Sequence, residues 1–361
     1  MKKNLKKVLL ACLVLIVLLS SLFLSFAQES EKSMTIKVGM ENPLDPLLSH
    51  EASLFRVFKN IMEKNTNNRI TVELYPSHTL GKADEMFKMV QRGTIEMAWC
   101  SMGTLSQFYP ISGVLTSAPF AFPNTAVAWK VIQGDLFQKD LSNAIFEETG
   151  VRVIDYPAIA FTVVTNSKRE VRSPKDLEGL RIRSMPIDIH LKIFEALGAK
   201  STVISWGELY GALQTGVVDG QHNPLSSYEA GKLYEVQKYV TLTNHFFDIN
   251  LWVANDKWLN SLSETDRYIL WDAVRVAMTA CLGAVQVAEV DDNVGIPFFR
   301  KHGTEFYKPT EEEIEEFRSL AVPVFEEYVI EEFGEEGIMW YEKLKKAIEI
   351  AEEEVKQGNI W

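Results

Sequence analysis

Two segments of the chain share one twelve-residue pattern, and this repeat restricts the possible fold more than any other feature. Residues 85–96 (EMFKMVQRGTIE) and 208–219 (ELYGALQTGVVD) place Glu, an aromatic, an aliphatic, Gln, Gly and an acid at matching positions. The aromatic and aliphatic residues are three apart, as on one helical face, and Gly93 and Gly216 follow where a left-handed cap would end each helix. A short apolar strand comes next in both copies. A helix–glycine–strand unit used twice predicts two similar α/β lobes with a ligand between them; coincidence between two common patterns is the alternative.

Alternating helix and strand patterns continue over most of the chain. Strands are predicted at 35–40 and 69–75 with a helix at 51–64 between them, and a strand at 180–184 leads into a helix at 187–197. Such β-α-β alternation predicts an α/β fold with mostly parallel sheets and helices on both faces.

The last third of the chain is predicted to be mainly helical. Capping boxes at 263–266 (SETD) and 310–313 (TEEE) open two helices, the first of them apolar-rich and continuing to about Asp291. A final helix is expected at 340–357. Acidic runs in this region are interpreted as solvated helix faces.

The amino terminus has the composition of a secretory signal peptide. Four lysines within the first seven residues precede an apolar run at 8–26, and Ser25 and Ala27 are the small residues that a signal peptidase needs. We therefore predict a signal peptide at 1–27 and a periplasmic or other extracytoplasmic location. The run is also long enough to remain as a membrane anchor. No later segment is expected to be long and apolar enough to span or insert into a bilayer.

Length and charge limit the classes of partner. About 330 residues remain after the leader, which exceeds the usual size of one hydrophobic core and predicts two domains. The net charge of −12 becomes −16 once the four leader lysines are removed. Such an acidic surface argues against nucleic acids and anionic membranes as partners. An anionic ligand would need a local cluster of cations.

Motifs of enzymes and metal proteins were not found in the sequence. It has no Gly-x-Ser-x-Gly elbow, no phosphate-binding glycine loop, no dinucleotide fingerprint and no Cys-x-x-Cys, and its six histidines lack paired metal-ligand spacing. We therefore predict no catalytic residue, no metal and no cofactor. Cys100 and Cys281 are expected to be two buried thiols rather than a disulfide.

A pair of arginines marks one strand as a candidate binding element. In the segment GLRIRSMP (179–186), Arg181 and Arg183 point to the same face of a strand. Two guanidiniums at the end of a strand are suited to bidentate binding of a carboxylate. The alternative is that either arginine pairs with a surface acid such as Glu178.

Two longer motifs carry a family resemblance. The segments SPKDLEGLRIR (173–183) and WGELYGALQTGVVDGQHNP (206–224) resemble the motif of TRAP-transporter extracytoplasmic substrate-binding proteins of the DctP type. This resemblance implies a two-lobed, periplasmic-binding-protein-like α/β fold with crossing strands and a long lobe-spanning helix. Lobe I is then expected at 28–158 with 249–288, and lobe II at 159–248 with 289–361.

The same resemblance implies a set of ligand-binding residues. Arg183 occupies the position of the arginine that forms a salt bridge to the ligand carboxylate, Asn223 that of an amide donor, and Trp206 that of an aromatic packing on the ligand. Asn42 and Glu85 stand where polar contacts from the first lobe are common. For these two, a turn asparagine and a helix-start acid are equally good interpretations.

One departure from the family pattern affects the expected ligand. Several sialic-acid and dicarboxylate binders carry a further arginine near the position of Phe161, where this chain has Ala-Phe-Thr at 160–162. A monocarboxylate with an apolar or hydroxylated tail therefore fits better than a dicarboxylate or sialic acid, and Phe161 and Trp206 are expected to pack on it. A carboxylate held through a bound metal remains an alternative.

Together these features predict a solute-binding protein without catalysis. It would capture a small organic acid and deliver it to the membrane subunits of a TRAP permease. The alternative is a two-lobed extracytoplasmic enzyme or sensory module on the same scaffold, since a fold does not determine a function.

Overall fold

A computed structural model describes residues 33–45, 49–289 and 295–359. The predicted signal peptide lies outside the described residues. Within them the strands are β1 (Met34–Gly39), β2 (Ile70–Tyr75), β3 (Met97–Ser101), β4 (Val151–Asp155), β5 (Ala158–Phe161), β6 (Val163–Asn166), β7 (Arg181–Ser184), β8 (Lys200–Val203), β9 (Gly220–Asn223), β10 (Tyr239–Thr241), β11 (Phe247–Asn255) and β12 (Glu305–Tyr307).

Helices connect these strands and form most of the carboxyl-terminal part. They are α1 (His50–Asn65), α2 (Ala83–Arg92), α3 (Met102–Leu105), α4 (Gly113–Thr116), α5 (Thr125–Gln133), α6 (Ser142–Thr149), α7 (Asp188–Ala196), α8 (Trp206–Gln214), α9 (Leu225–Ala230), α10 (Asp256–Ser261), α11 (Glu264–Glu289), α12 (Gly295–Lys301) and α13 (Glu311–Lys356). A π-helical segment, Leu136–Leu141, precedes α6.

The strands form two mixed six-stranded sheets. The first has the order β2-β1-β3-β11-β4 with β5 paired to β11, and the second has the order β12-β10-β6-β9-β7-β8. Strand β11 runs antiparallel to β3, β4 and β5, and β6 runs antiparallel to β9 and β10. The expectation of mostly parallel sheets was therefore only partly right. A strand that crosses over from the other sheet begins at the cleft, which is where the neighbouring strands of its new sheet end. It therefore runs antiparallel to those strands.

The sequence repeat forms the same unit in each sheet. Helix α2 is followed by Gly93 with φ of 72° and leads into β3, while α8 is followed by Gly216 with φ of 71° and leads into β9. A left-handed backbone at these positions favours glycine. The predicted helix and left-handed glycine are thus confirmed in both copies. The strands, predicted at 94–99 and 217–219, were placed too early: β3 begins at Met97 and overlaps its predicted range, whereas β9 begins at Gly220, after its predicted range.

Helix α11 is the long helix expected after residue 263. By length and composition its segment Glu264–Val287 could cross a membrane, so the expectation that no later segment would qualify was wrong. One face, which includes Leu270, Ala277 and Cys281, is buried in one cluster with α1 and Trp252. Packing in a protein core accounts for the apolar residues of that face, whereas Tyr268 and Trp271 are exposed. Cys281 and Cys100 are both buried and free, as predicted.

The last helix is longer than predicted. Thr310 and Glu313 form the expected capping box of α13, which then continues to Lys356 through a break at Gly334 (φ 55°, ψ −135°). It packs on α5, where Lys130 pairs with Glu354 at 2.6 Å, and also on α7. The helix therefore contacts elements from the sides of both sheets. The residue boundaries given above for the two lobes stay a prediction.

Candidate functional site

A cavity of about 480 Å³ lies between the two sheets. Its walls come from the carboxyl ends of β1, β3, β7 and β9, from β11, and from the first turns of α2 and α8. Clefts at the carboxyl ends of strands, between lobes, are where α/β proteins bind small molecules, and the volume is in the usual range.

Arg183 is buried in the wall of this cavity. Only 1% of the residue is exposed, and its Nε donates a hydrogen bond to the carbonyl oxygen of Ile204 at 2.8 Å. Its buried Nη1 has no hydrogen-bond partner among the described residues. Burial lowers the pKa of Arg183 to about 10, while nearby Glu41 and Asp248 raise it, so the guanidinium is charged at neutral pH. A buried, charged donor without a partner favours binding of a carboxylate oxygen.

Arg181 has a different role from the one its spacing suggested. Its Nη2 and Nε donate to Oδ1 and Oδ2 of Asp219 at 2.8 Å and 3.0 Å, and it is not among the residues that line the cavity. Hydrogen bonding to Arg181 lowers the pKa of Asp219 to about 2. The hypothesis that both arginines bind the ligand is wrong for Arg181. The alternative of an ion pair holds, with Asp219 instead of Glu178 as the acid.

Three more of the predicted residues join Arg183 in the cavity wall. Trp206, in the first turn of α8, donates its Nε1–H to Oδ1 of Asn42, in the loop after β1, at 3.0 Å. This bond connects the two sides of the cleft. Asn223, at the end of β9, donates from Nδ2 to Oε1 of Gln221.

The other two predicted residues lie outside the cavity wall. Glu85 is exposed, and its carboxylate accepts the backbone N–H of Lys82, the N-cap residue of α2, at 2.8 Å. The helix-start interpretation is therefore correct for Glu85. Phe161 packs edge to face on Phe247, with ring centroids 5.0 Å apart, in the hydrophobic core. Phe161 is not among the residues that line the cavity.

Sequence reasoning missed two acids that face the cavity. Glu41 is buried and accepts the backbone N–H of Ser101 at 3.2 Å; Asp248 is half-buried in β11. Burial raises the pKa of each to about 7, although Arg183 acts in the opposite direction. The sequence held a signal for both, since Glu41 precedes Asn42 at a strand end and Asp248 interrupts the apolar run at 246–249.

Glu51 holds the loop that carries Glu41 and Asn42. It is fully buried in the first turn of α1, and its two carboxylate oxygens accept the backbone N–H groups of Glu41 and Asn42 at 2.9 Å and 2.8 Å. Because Glu51 holds these two backbone amides in place, the side chains of Glu41 and Asn42 keep their positions in the cavity wall.

Three histidines far apart in sequence meet next to Arg183. The ring of His222 lies 5.2 Å from that of His190 and 5.3 Å from that of His245. Burial lowers the pKa of His190 and of His245 to about 3, so both are neutral. Within the described part of the chain, no group of three or more His, Cys, Asp or Glu residues is arranged to hold a metal ion.

The mouth of the cavity is closed by contacts between the two sides. Besides the Trp206–Asn42 bond, Lys82 Nζ lies 3.1 Å from Oε1 of Glu208, and Ser106 Oγ donates to the carbonyl oxygen of Pro186 at 3.1 Å. The structure thus shows the cleft in a closed form.

The raised pKa of Asp248 predicts a pH-dependent stability difference. Unfolded aspartate titrates near 4 and folded Asp248 near 7, so the folded state binds the extra proton between these values and loses stability as the pH rises through 7. We expect Asp248→Asn to gain about 1 kcal/mol relative to wild type between pH 5 and pH 8, roughly half of the full linkage over this window because Asp248 is half-buried.

Urea unfolding of both proteins at the two pH values measures this gain. The buried histidines act in the opposite direction, since they lose stability as the pH falls below about 6.5, but they are present in both proteins and cancel in the difference. An equal difference at both pH values would contradict the prediction.

Comparison with known proteins agrees with this architecture. Residues 47–332 match the model of a family described as bacterial extracellular solute-binding protein, family 7 (DctP). The chain is 32% identical over 239 residues to the 2,3-diketo-L-gulonate-binding periplasmic protein YiaO of Escherichia coli (strain K12), covering 66% of this chain and 71% of that protein.

Two solved structures share the whole fold. One is a TRAP periplasmic solute-binding protein from Polaromonas sp. JS666 bound to D-erythronate, with a TM-score of 0.76 and 29% identity over 86% of this chain and 98% of that one. The other is the sugar-acid-binding protein DctPAm from Advenella mimigardefordensis strain DPN7T with galactonate, with a TM-score of 0.81 and 26% identity over 89% and 99%. The chain therefore belongs to the DctP family of bacterial extracellular solute-binding proteins, those of TRAP transporters, and has their two-lobed α/β fold.

Proposed function

We propose that this protein captures a small organic acid between its lobes, without chemical conversion, and delivers it to the membrane subunits of a TRAP permease. The observation that carries the proposal is Arg183, buried in the cavity wall with an unpartnered Nη1. Asn223 stands beside it with an amide that can donate to the same carboxylate. Trp206 supplies an aromatic wall.

The charges of the cavity favour one carboxyl group and a hydroxylated tail. Among its described lining residues the lysine and arginine side chains are Lys82 and Arg183, and the acids are Glu41, Asp84, Glu208 and Asp248. Lys82 already pairs with Glu208. A second carboxylate would therefore meet more negative than positive charge, whereas hydroxyl groups can donate to Glu41 and Asp248. Relatives that hold D-erythronate and galactonate support this class.

Delivery to a permease rests on family membership and on the predicted leader. The proposed location is periplasmic or extracytoplasmic, with 1–27 as signal peptide. The competing function is a sensory or enzymatic module on the same scaffold. A gene next to those of a small and a large multi-span membrane subunit supports transport, and a gene next to a histidine kinase supports sensing.

Native mass spectrometry of the purified protein, with identification of any co-purified acid, is the direct test. Calorimetry with D-erythronate, galactonate and succinate then ranks the ligand classes. We expect a hydroxylated monocarboxylate to bind and succinate to bind weakly. A bound molecule without a carboxyl group, or turnover of the bound acid, would overturn the proposal.

Ligand-driven closure is a further expected result. A ligand held by both lobes binds the closed form better than the open form and shifts the population toward it. Small-angle scattering of ligand-free protein should show a larger radius of gyration than that of the saturated protein. The crossing strands and α11 are the proposed hinges.

The Arg183→Ala variant, given the same concentration of ligand, is the control and should stay open. An unchanged pair-distance profile in the wild type on saturation would favour a rigid protein.

A further inference from the structure

The structure contains a half-buried carboxyl group that connects the long helix to a segment of the cavity wall. Oε1 of Glu289, in the last turn of α11, accepts the backbone N–H of Ser226 at 2.6 Å. Ser226 is the second residue of α9, which follows directly after Asn223 and Pro224. Asn223 and Ser227 both line the cavity.

The contact satisfies a backbone group that has no local partner. The first N–H groups of a helix lack acceptors within the helix, and a side chain usually supplies one. Here Pro224 is the N-cap residue of α9 and makes no side-chain cap hydrogen bond. Glu289 supplies the acceptor from a different element.

The two ends of this contact are anchored in different cores. Helix α11 packs through Leu270, Ala277 and Val285 into the cluster that contains α1 and strands of the first sheet. Helix α9 packs through Leu225 and Tyr228 into the cluster of the second sheet. When one lobe moves against the other, the Glu289–Ser226 hydrogen bond therefore either transmits the displacement from one helix to the other or is strained by it.

We propose that Glu289 is a positioning residue that links the movement of α11 to the ligand-contact segment from Asn223 to Ser227. Burial raises the pKa of Glu289 to about 8, with Asp248 acting in the same direction, which is consistent with a carboxyl group enclosed between the two helices. The proposal rests on the proposed function in one respect, namely that the lobes move when an acid ligand binds. The contact itself is independent of which ligand binds.

Hydrogen exchange of the ligand-free protein tests the contact. In Glu289→Ala, the amides of α9 should exchange about tenfold or more faster than in wild type, because a hydrogen bond to a carboxyl group is lost. Glu289→Gln keeps an acceptor oxygen and should stay within about threefold of wild type. Glu264→Ala, at the exposed first turn of the same helix, is the matched control.

Exchange in the presence of D-erythronate tests the link. In wild type, ligand should change protection both in α9 and in the last two turns of α11; in Glu289→Ala only α9 should respond. Glu289→Asp, which keeps a carboxyl group but is too short to reach the Ser226 N–H in the same way, serves if Glu289→Ala does not fold. Exchange in Glu289→Ala equal to that in Glu264→Ala would overturn the proposal. If D-erythronate changes no exchange rate in wild type, this outcome counts against the proposed ligand class. The role of Glu289 is then decided by the exchange rates of the ligand-free proteins alone.

Discussion

Replacing Arg183 by alanine is expected to weaken binding of the acid ligand by roughly 30-fold to several thousand-fold. Loss of one partner of a desolvated charge pair costs about 2–5 kcal/mol. Arg183 is buried, and its free Nη1 belongs to a residue of the cavity wall. Lys82, the other lysine or arginine among the described lining residues, already pairs with Glu208. Arg183→Lys should also bind poorly, because an ammonium group cannot reproduce the planar guanidinium.

Calorimetry with the acid identified by mass spectrometry, or with D-erythronate, measures the loss. Arg181→Ala is the matched control, since it removes the same side chain two residues earlier on the same strand, where it pairs with Asp219. Its affinity should stay within a few-fold of wild type. Near-normal affinity in Arg183→Ala would move the binding site elsewhere.

Replacing Gly220 by alanine is expected to destabilise the protein by about 3 kcal/mol or more. A Cβ at this position would lie 2.2 Å from the carbonyl oxygen of Thr165 and 2.9 Å from Cδ1 of Ile182. The first of these is a backbone atom of β6, the strand paired with β9 through Gly220 and Asn166. It cannot move away without breaking the centre of the second sheet.

Urea unfolding shows this effect as a lower midpoint. Gly211→Ala is the control, because it lies inside α8 and a Cβ there meets nothing within 4 Å. That change should stabilise the protein by about 0.5–1 kcal/mol through helix propensity. An unchanged midpoint in Gly220→Ala would show that the β6–β9 pairing is looser than the structure indicates.

Local patterns predicted the parts of the fold that depend on neighbours in sequence. The repeat, its glycine caps and the capping box at Thr310 are set by residues a few positions apart, and all are present. Strand β11 was not predicted. Its burial on both faces gives no alternation, and its partners β3, β4 and β5 lie about 90 residues or more away in the chain.

The candidate site shows the same difference between features set by neighbours in sequence, which could be predicted, and features set by distant contacts, which could not. Strand periodicity placed Arg181 and Arg183 on one face, but the partner that removes Arg181 from the site is Asp219, directly before the neighbouring strand β9. Glu85 was assigned to the ligand, although the alternative of a helix-start acid depends only on residues 82–85, which are adjacent in the sequence. Glu41 follows β1 and Asp248 lies in β11, both in the first sheet, and they come near Arg183 of the second sheet only because the two sheets face each other across the cavity.

The bond between Trp206 and Asn42 consists of protein atoms alone, and so does the Lys82–Glu208 pair. Each favours the closed cleft whether or not an acid is inside, without being strong enough to keep the ligand-free protein closed. Stronger contacts of this kind raise the apparent affinity, because less of the binding energy is used for closure. They also increase the fraction of ligand-free molecules that adopt the closed conformation of ligand-bound ones. A permease that recognises the closed conformation of its binding protein would then also bind ligand-free molecules. High ligand affinity therefore favours strong contacts at these two positions, whereas efficient delivery favours weak ones.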